Sequence, residues 1–140
     1  MPLDLHSLRK SVEAMTAVLD KSDDVEFMEG LDEIAQRAVK SGVIQHFEFT
    51  YELCWKFMRR WIEMNVSATA VDGVTRRELF RQAAENRLID DVEGWMRHHA
   101  ARSLTSHTYE VEAAEDVYAA AHSFARDARK LLAAMEARND

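Results

Sequence analysis

The sequence predicts an all-α fold, an antiparallel up-and-down bundle of about five helices, and two observations carry this prediction. Apolar residues recur at spacings of three and four along most of the chain, which is the periodicity of helices with a buried face. Helix breakers are nearly absent, because the 140 residues include only 4 glycines and 1 proline. The length, with 47% hydrophobic and 31% charged residues, fits one globular domain over residues 1–140.

The first two helices are predicted from their apolar stripes. A helix of about four turns is expected around Leu5 to Leu19. Asp23 precedes Glu26 by three residues, which predicts a capping box at the start of a second helix. The predicted buried stripe of that helix is Phe27, Leu31, Ile34, Ala35 and Ala38. Ser41-Gly42 is then expected to stop or kink it.

A third helix is predicted over about residues 43–64 and contains the segment FEFTYELCWKFMRRW. One apolar stripe includes Phe47, Tyr51 and Cys54, and a second one runs Phe49, Leu53, Phe57, Trp61. A helix with two apolar stripes must be covered on two sides. It is therefore either the central helix of the bundle or part of a subunit interface, and both can hold together.

The C-terminal half contains one loop and three further helices. Residues 65–73 are expected to form the loop, after which Thr75 to Glu78 forms a capping box that begins a short helix. Asp90 and Glu93 form a similar start. The last helix is expected to begin near Thr108 and to end at about Ala137.

Charge and composition limit the function classes. The net charge of −7 argues against a general nucleic-acid coat protein, although residues 76–109 are much less acidic and leave local action on RNA open. A single cysteine, Cys54, excludes an internal disulfide and a cysteine-rich zinc site. No apolar run approaches the roughly 18 residues of a membrane helix, and the first residues lack the apolar core of a signal peptide. A cytoplasmic location without membrane contact is expected.

The segment ARSLTSHTYE, residues 101–110, places Arg102, His107 and Tyr109 among small hydroxyl side chains. These hydroxyl residues favour caps over helix interiors, so we expect a break here. His107 would then lie at the N-terminus of the last helix, and Arg102 at the end of the preceding helix or in the loop. Such an arrangement suits a phosphate, because helix N-termini and guanidinium groups bind anions.

These groups are sufficient for RNA cleavage without a metal or cofactor. His107 would accept the proton of a ribose 2′-OH, and Arg102 would stabilise charge on the phosphoryl oxygens. The second His107 of a symmetric dimer would protonate the leaving oxygen. The structural alternative is that the histidine neighbours a cap and the arginine binds carbonyls. Metal binding by His98, His99 and His107 is disfavoured, because adjacent helix residues point apart.

The sequence resembles the HEPN superfamily, and within it the HepT-type nucleotidyltransferase substrate-binding proteins. The resemblance spans roughly residues 43–125 and includes FEFTYELCWK, RELFRQAAENRLIDD, Trp95 and RSLTSHTYE. The motif of that group is arginine, four residues, histidine, any residue, tyrosine. In this chain the motif corresponds to Arg102, His107 and Tyr109.

The resemblance implies a dimeric helical bundle whose motifs meet across the subunit interface. It implies a metal-independent ribonuclease toxin with Arg102 and His107 as catalytic residues and RNA as substrate. It also implies a minimal nucleotidyltransferase as antitoxin, which in such pairs can transfer AMP to the motif tyrosine, here Tyr109. Added charge on Tyr109 would oppose binding of an RNA phosphate.

One position departs from the motif, since relatives usually carry asparagine after the arginine and this chain has Ser103. Ser103, Ser106 and Glu52 are candidate supporting residues, with Glu52 lying one turn after Glu48 on the aromatic helix. Solvated faces or salt bridges between helix neighbours are the structural alternative for these carboxylates. The functional alternative is a non-catalytic subunit that presents a nucleotide or substrate to a nucleotidyltransferase. A purely structural dimer is a third interpretation.

Overall fold

The computed structural model describes residues 2–107 and 110–139. Within these residues the chain is all-α, as predicted, with six α-helices and one 3₁₀ helix. The helices are α1 (His6–Asp23), α2 (Val25–Glu29), α3 (Glu33–Asn65), α4 (Arg76–Glu85), α5 (Val92–Ser103), the 3₁₀ helix (Leu104–His107) and α6 (Val111–Ala137).

Three long helices form the body of the bundle. The helices α1, α3 and α6 contact one another, while α4 and α5 pack on each other and on α3, and α5 also reaches α6. Phe124 of α6 lies where these helices meet, with its ring centroid 5.0 Å from that of Phe47 and 5.8 Å from that of Trp95. The core thus joins α3, α5 and α6 next to the segment that carries the predicted motif.

The region before residue 43 differs from the prediction. Asp24, not Asp23, caps α2 by accepting from the N–H of Phe27 at 3.1 Å. The next helix starts at Glu33 and passes through Ser41-Gly42 without a break. Buried residues that follow this dipeptide pack against α1 and outweigh its low helix propensity. The predicted stripe of the second helix is also wrong in part, since Ile34 is 79% exposed.

Helix α3 is the central helix of the bundle, because it contacts α1, α4, α5 and α6. Its first predicted stripe is confirmed in the core, where Phe47, Tyr51 and Cys54 are fully buried. The second stripe is buried only toward its C-terminal end, at Phe57 and Trp61, whereas Phe49 is exposed. A role of α3 in a subunit interface stays a prediction.

The starts of the later helices follow the prediction in part. Thr75 accepts from the N–H of Glu78 at 3.1 Å and begins α4. Asp91, one residue after the predicted Asp90, accepts from the N–H of Gly94 at 2.9 Å and begins α5. The last helix begins at Val111, after Glu110, which makes no side-chain cap hydrogen bond. Thr108, the predicted start, lies outside the described residues.

None of the helices in the described ranges has the length and apolarity required to cross a lipid bilayer.

Candidate active site

Arg102 lies in the last turn of α5 and faces two carboxylates of α3. Its Nε is 3.2 Å from Oε1 of Glu52, and its Nη2 is 3.5 Å from Oε1 of Glu48. These glutamates are one helical turn apart, so they present oxygens to the same guanidinium. The Arg102 side chain is 28% exposed and therefore open to solvent on one side. The sequence-predicted Glu52 thus contacts the predicted Arg102.

Thr105 fixes the other edge of the guanidinium. Nη1 of Arg102 donates to Oγ1 of Thr105 at 2.7 Å, and this hydroxyl donates back to the carbonyl oxygen of Arg102 at 2.7 Å. Thr105 is buried in the 3₁₀ helix that directly continues α5. Side chain, helix end and 3₁₀ turn are consequently locked together. From the sequence Thr105 was only one of the hydroxyl residues expected to favour a cap, and its contact with the guanidinium was not predicted because it depends on this turn conformation.

The contacts of Arg102 leave room for a ligand but balance its charge. A guanidinium has five N–H donors, and the contacts with Glu48, Glu52 and Thr105 engage one nitrogen each. The Nε–H is buried and is not aligned with the Glu52 oxygen as a hydrogen bond. The remaining N–H groups on Nη1 and Nη2 are those an anion would meet. Two nearby carboxylates reduce the net attraction for such an anion.

His107 is the last residue of the 3₁₀ helix and is exposed. Its carbonyl oxygen accepts from the N–H of Glu110 at 3.0 Å. The expected position at the N-terminus of the last helix is wrong, because residues 104–107 continue α5 and α6 begins only at Val111. Convergence of His107 and Arg102 on one anion stays a prediction. Tyr109 lies outside the described residues, and its role as modification site stays a prediction as well.

The two serines of the motif segment serve the end of α5. Ser103 Oγ donates to the carbonyl oxygen of His99 at 3.2 Å, and Ser106 Oγ donates to that of Ser103 at 3.2 Å. Both residues are exposed. Hydroxyl groups in these positions satisfy carbonyls that a helix end leaves without partners. Their observed contacts fit a capping role, and any contact with substrate stays a prediction.

A second group of side chains adjoins Arg102 and was not identified as functional from the sequence. Tyr51 Oη lies 2.8 Å from Nδ1 of His99, and Nη1 of Arg76 donates to the same phenol oxygen at 3.4 Å. The guanidinium carbon of Arg76 lies 3.7 Å from the ring centroid of Trp55. Trp55 Nε1 donates to Oε2 of Glu52 at 3.0 Å. This connected set links Arg76 of α4 to the Glu52–Arg102 pair.

Part of this group was detectable as helix spacing. Tyr51, Glu52 and Trp55 follow Glu48 at three, four and seven residues, which places them on one side of α3. His99 precedes Arg102 by three residues on α5 and shares its side. Arg76 carries no such signal, because it follows a loop whose path the sequence does not specify.

The pKa values of the two neighbouring histidines of α5, His98 and His99, are both lowered. Burial, together with the charges of Arg76 and Arg102, lowers the pKa of His99, although Glu52 opposes this shift. Burial also lowers the pKa of His98, against the opposing effect of Asp127. His98 Nε2 lies 2.6 Å from Oδ2 of Asp127 on α6, whereas His99 faces α3. The two imidazoles therefore point to different helices, as expected from their adjacency.

Comparison with known proteins identifies what the chain is similar to. A family model described as nucleotidyltransferase substrate binding protein like matches residues 3–137. A Haemophilus influenzae protein named probable ribonuclease HepT is 29% identical over 138 residues, which cover 98% of this chain and 94% of that protein.

Solved structures show the same fold. A Haemophilus influenzae structure, described as the fold of a substrate binding domain of a nucleotidyltransferase, superimposes with a TM-score of 0.91 at 28% identity. The match covers 95% of this chain and 99% of that one. A Thermus thermophilus protein matches with a TM-score of 0.68 at 20% identity, covering 89% of this chain and 98% of that one. The second similarity concerns the fold alone.

Proposed function

The chain belongs to the nucleotidyltransferase substrate binding protein-like family, and from this premise we propose that it is a metal-independent endoribonuclease of the toxin type. A partner nucleotidyltransferase would act as its antitoxin. The similarity to the protein named probable ribonuclease HepT supports the activity. The family description supports the class of partner.

The observation that carries the proposal is the fixed guanidinium of Arg102. Glu52 and Thr105 hold it from two sides, yet the side chain stays partly open to solvent. Such a preorganised donor stabilises charge that develops on a phosphoryl oxygen. His107 lies five residues further along the same segment and is an exposed residue, so a substrate at this surface can contact it.

The proposed reaction is intramolecular transesterification of RNA. His107 accepts the proton of the 2′-OH, and O2′ forms a bond to the adjacent phosphorus as the bond from phosphorus to O5′ breaks. Arg102 stabilises the extra charge on the non-bridging oxygens. A second imidazolium, His107 of a twin subunit, gives its proton to O5′. The products are a 2′,3′-cyclic phosphate and a free 5′-hydroxyl.

Control by the partner would act on Tyr109. Transfer of AMP from ATP to this phenol, with release of pyrophosphate and of the phenol proton, adds a phosphate two residues after His107. Its bulk and negative charge would compete with the RNA phosphate for the same cation. Mass spectrometry of Tyr109 after co-expression with the partner tests this step. An unmodified tyrosine beside an effective antitoxin rejects it.

The direct test of the activity is RNA cleavage by the purified chain in EDTA. Wild type is expected to release 2′,3′-cyclic phosphate ends, and His107→Ala is expected to release none. No cleavage by wild type, or equal cleavage by His107→Ala, rejects the ribonuclease proposal.

The second candidate is a non-catalytic subunit that presents a substrate to the nucleotidyltransferase. The carboxylates of Glu48 and Glu52 favour it, because they balance the charge of Arg102 and weaken RNA binding. This candidate predicts tight association with the partner and no growth arrest when the chain is expressed alone. Growth arrest that requires His107 excludes it.

A further inference from the structure

The hydrogen-bond neighbours of His99 favour one of the two neutral tautomers of its imidazole. Arg76 has no acceptor atom, so it must donate to the phenol oxygen of Tyr51. Nδ1 of His99, 2.8 Å away, is the acceptor that this phenol meets among the described residues, so the contacts favour donation from Tyr51 to Nδ1. A neutral imidazole whose Nδ1 accepts carries its hydrogen on Nε2. His99 is therefore a hydrogen-bond donor on the side away from Tyr51.

The surroundings keep this donor neutral. Partial burial and the nearby cations Arg76 and Arg102 lower the pKa of His99. A neutral imidazole preserves the acceptor lone pair that Tyr51 requires. The two oxygens of the nearby Glu52 carboxylate contact other groups, Oε1 facing Nε of Arg102 and Oε2 accepting from Nε1 of Trp55.

The Nε2–H of His99 has no hydrogen-bond partner within residues 2–107 and 110–139. His99 is half-buried, so part of its surface is in contact with solvent. His99 lies one turn before Arg102 on the same side of α5. The neutral imidazole of His99 and the cationic guanidinium of Arg102 thus both have N–H groups available to a ligand on the same side of α5.

Resting on the proposed ribonuclease function, we propose that His99 is a second phosphate-binding residue, which donates from Nε2 to an oxygen of the RNA phosphate contacted by Arg102. A neutral donor suits this place, because Glu48 and Glu52 already balance the charge of Arg102. Binding then depends on directed hydrogen bonds rather than on net positive charge. Tyr51 is a positioning residue that sets the tautomer of His99.

Two substitutions of His99 separate this role from a structural one. In His99→Asn the amide lies near the position of Nδ1, so the contact with Tyr51 is kept and the outer donor is lost. In His99→Gln the amide nitrogen lies near the position of Nε2, so the outer donor is kept and the Tyr51 contact is lost. If His99 is only structural, its function requires the Nδ1 contact with Tyr51. If His99 binds phosphate, its function requires the outer donor at Nε2.

The probe is a 2′-O-methyl oligoribonucleotide of mixed sequence, which has the phosphates of RNA but no nucleophile and is not cleaved. We expect His99→Asn to bind it at least about 10-fold more weakly than His99→Gln, as for loss of a hydrogen bond to a charged group. Equal binding by the two variants, weaker binding by His99→Gln, or no binding by wild type overturns the proposal. Binding without His107-dependent cleavage of ordinary RNA would instead reject the ribonuclease function.

The tautomer is measured independently by ¹⁵N NMR, in which two-bond correlations from the ring hydrogens identify the protonated nitrogen. We expect wild-type His99 to carry its hydrogen on Nε2 and Tyr51→Phe to shift part of the population to Nδ1–H. The proposal requires the Nε2 resonance of His99 to shift when the 2′-O-methyl probe binds. If His99 has only a structural role, adding the probe leaves this resonance unchanged. A hydrogen on Nδ1 in wild type overturns the assignment.

Discussion

His98 and Asp127 meet at 2.6 Å, Nε2 to Oδ2, and join α5 to α6 beside the aromatic core. The imidazole of His98 is buried and packs against the rings of Trp95 and Phe124 at centroid distances of 5.3 Å for each. Burial lowers the pKa of His98 despite the carboxylate. A proton added to this ring is therefore more costly in the folded chain than in the unfolded one.

The free energy of unfolding is expected to fall in mild acid for this reason. An unfolded histidine titrates near about pH 6.5, and His98 and His99 titrate lower when folded. The unfolded state thus binds more protons as the pH falls, so stability is full above about pH 6.5 and is lost below it. Urea unfolding from about pH 8 to about pH 5 measures the effect, above the range where most carboxylates titrate.

The control for this prediction is a pair of variants. His98→Gln and His99→Gln are each expected to remove part of the pH dependence. A stability that is constant or rises as the pH falls over this interval would contradict the account.

Gly42→Ala is expected to stabilise the protein by about 0.5–1 kcal/mol, because alanine is the better helix former and restricts the unfolded chain. Gly42 lies inside α3, and an added Cβ would meet only Cγ2 of Val18, at an ordinary 3.7 Å. Thermal and urea unfolding measure the change. Gly94→Ala is expected to lower the free energy of unfolding instead, because its Cβ would lie 2.6 Å from Oδ2 of Asp91, the residue that caps α5. Equal effects of the two substitutions would refute this reasoning.

Arg102→Lys is expected to lower kcat for RNA cleavage by about 100-fold, which is typical for loss of one preorganised transition-state donor. A lysine ammonium cannot contact Glu48, Glu52 and Thr105 together in the planar geometry of the guanidinium. Single-turnover cleavage in EDTA measures the loss. Arg97→Lys is the matched control, because Arg97 is exposed on the same helix and pairs with Asp91. Activity of Arg102→Lys near that of the control would argue against the site.

Glu52→Gln is expected to lower kcat by about 10-fold, because the ion pair that orients the guanidinium is lost. The amide still accepts from Trp55 but no longer pairs with Arg102, so the guanidinium loses orientation. KM for RNA should fall, because one repelling charge is removed. Glu48→Gln should change kcat less, since Glu48 lies farther from Arg102 and is 44% exposed. Parallel changes in kcat and KM for the two variants would point to general electrostatics instead of positioning.

The fold was predictable from the sequence wherever a local pattern, such as a cap or an apolar stripe, was not opposed by packing between helices. The cap at Thr75 and the buried stripe of Phe47, Tyr51 and Cys54 are local patterns that the structure confirms. The predicted break at Ser41-Gly42 was wrong because helix propensity is weak beside the burial of Val43 and Ile44 in a helix that packs on α1.

The candidate site was predictable only along single helices. The spacing of Glu48 and Glu52 placed two carboxylates on one side of α3 and made Glu52 a candidate supporting residue, but it did not specify that both contact the guanidinium of Arg102. The contact of Tyr51 with His99 joins residues 48 positions apart and depends on how α3 and α5 pack. Arg76 enters this group through the path of the loop between α3 and α4, for which no sequence rule exists.

The unbroken course of α3 also limits how this site can change during evolution. Glu48, Tyr51, Glu52 and Trp55 all belong to one helix of 33 residues, so their mutual angles are set by backbone geometry before any other helix packs. Insertion or deletion of one residue between Glu48 and Trp55 would rotate one part of the group against the other by about 100°. Lineages that keep the site are therefore expected to accept length variation in the connection between α3 and α4 and to exclude it from this stretch of α3.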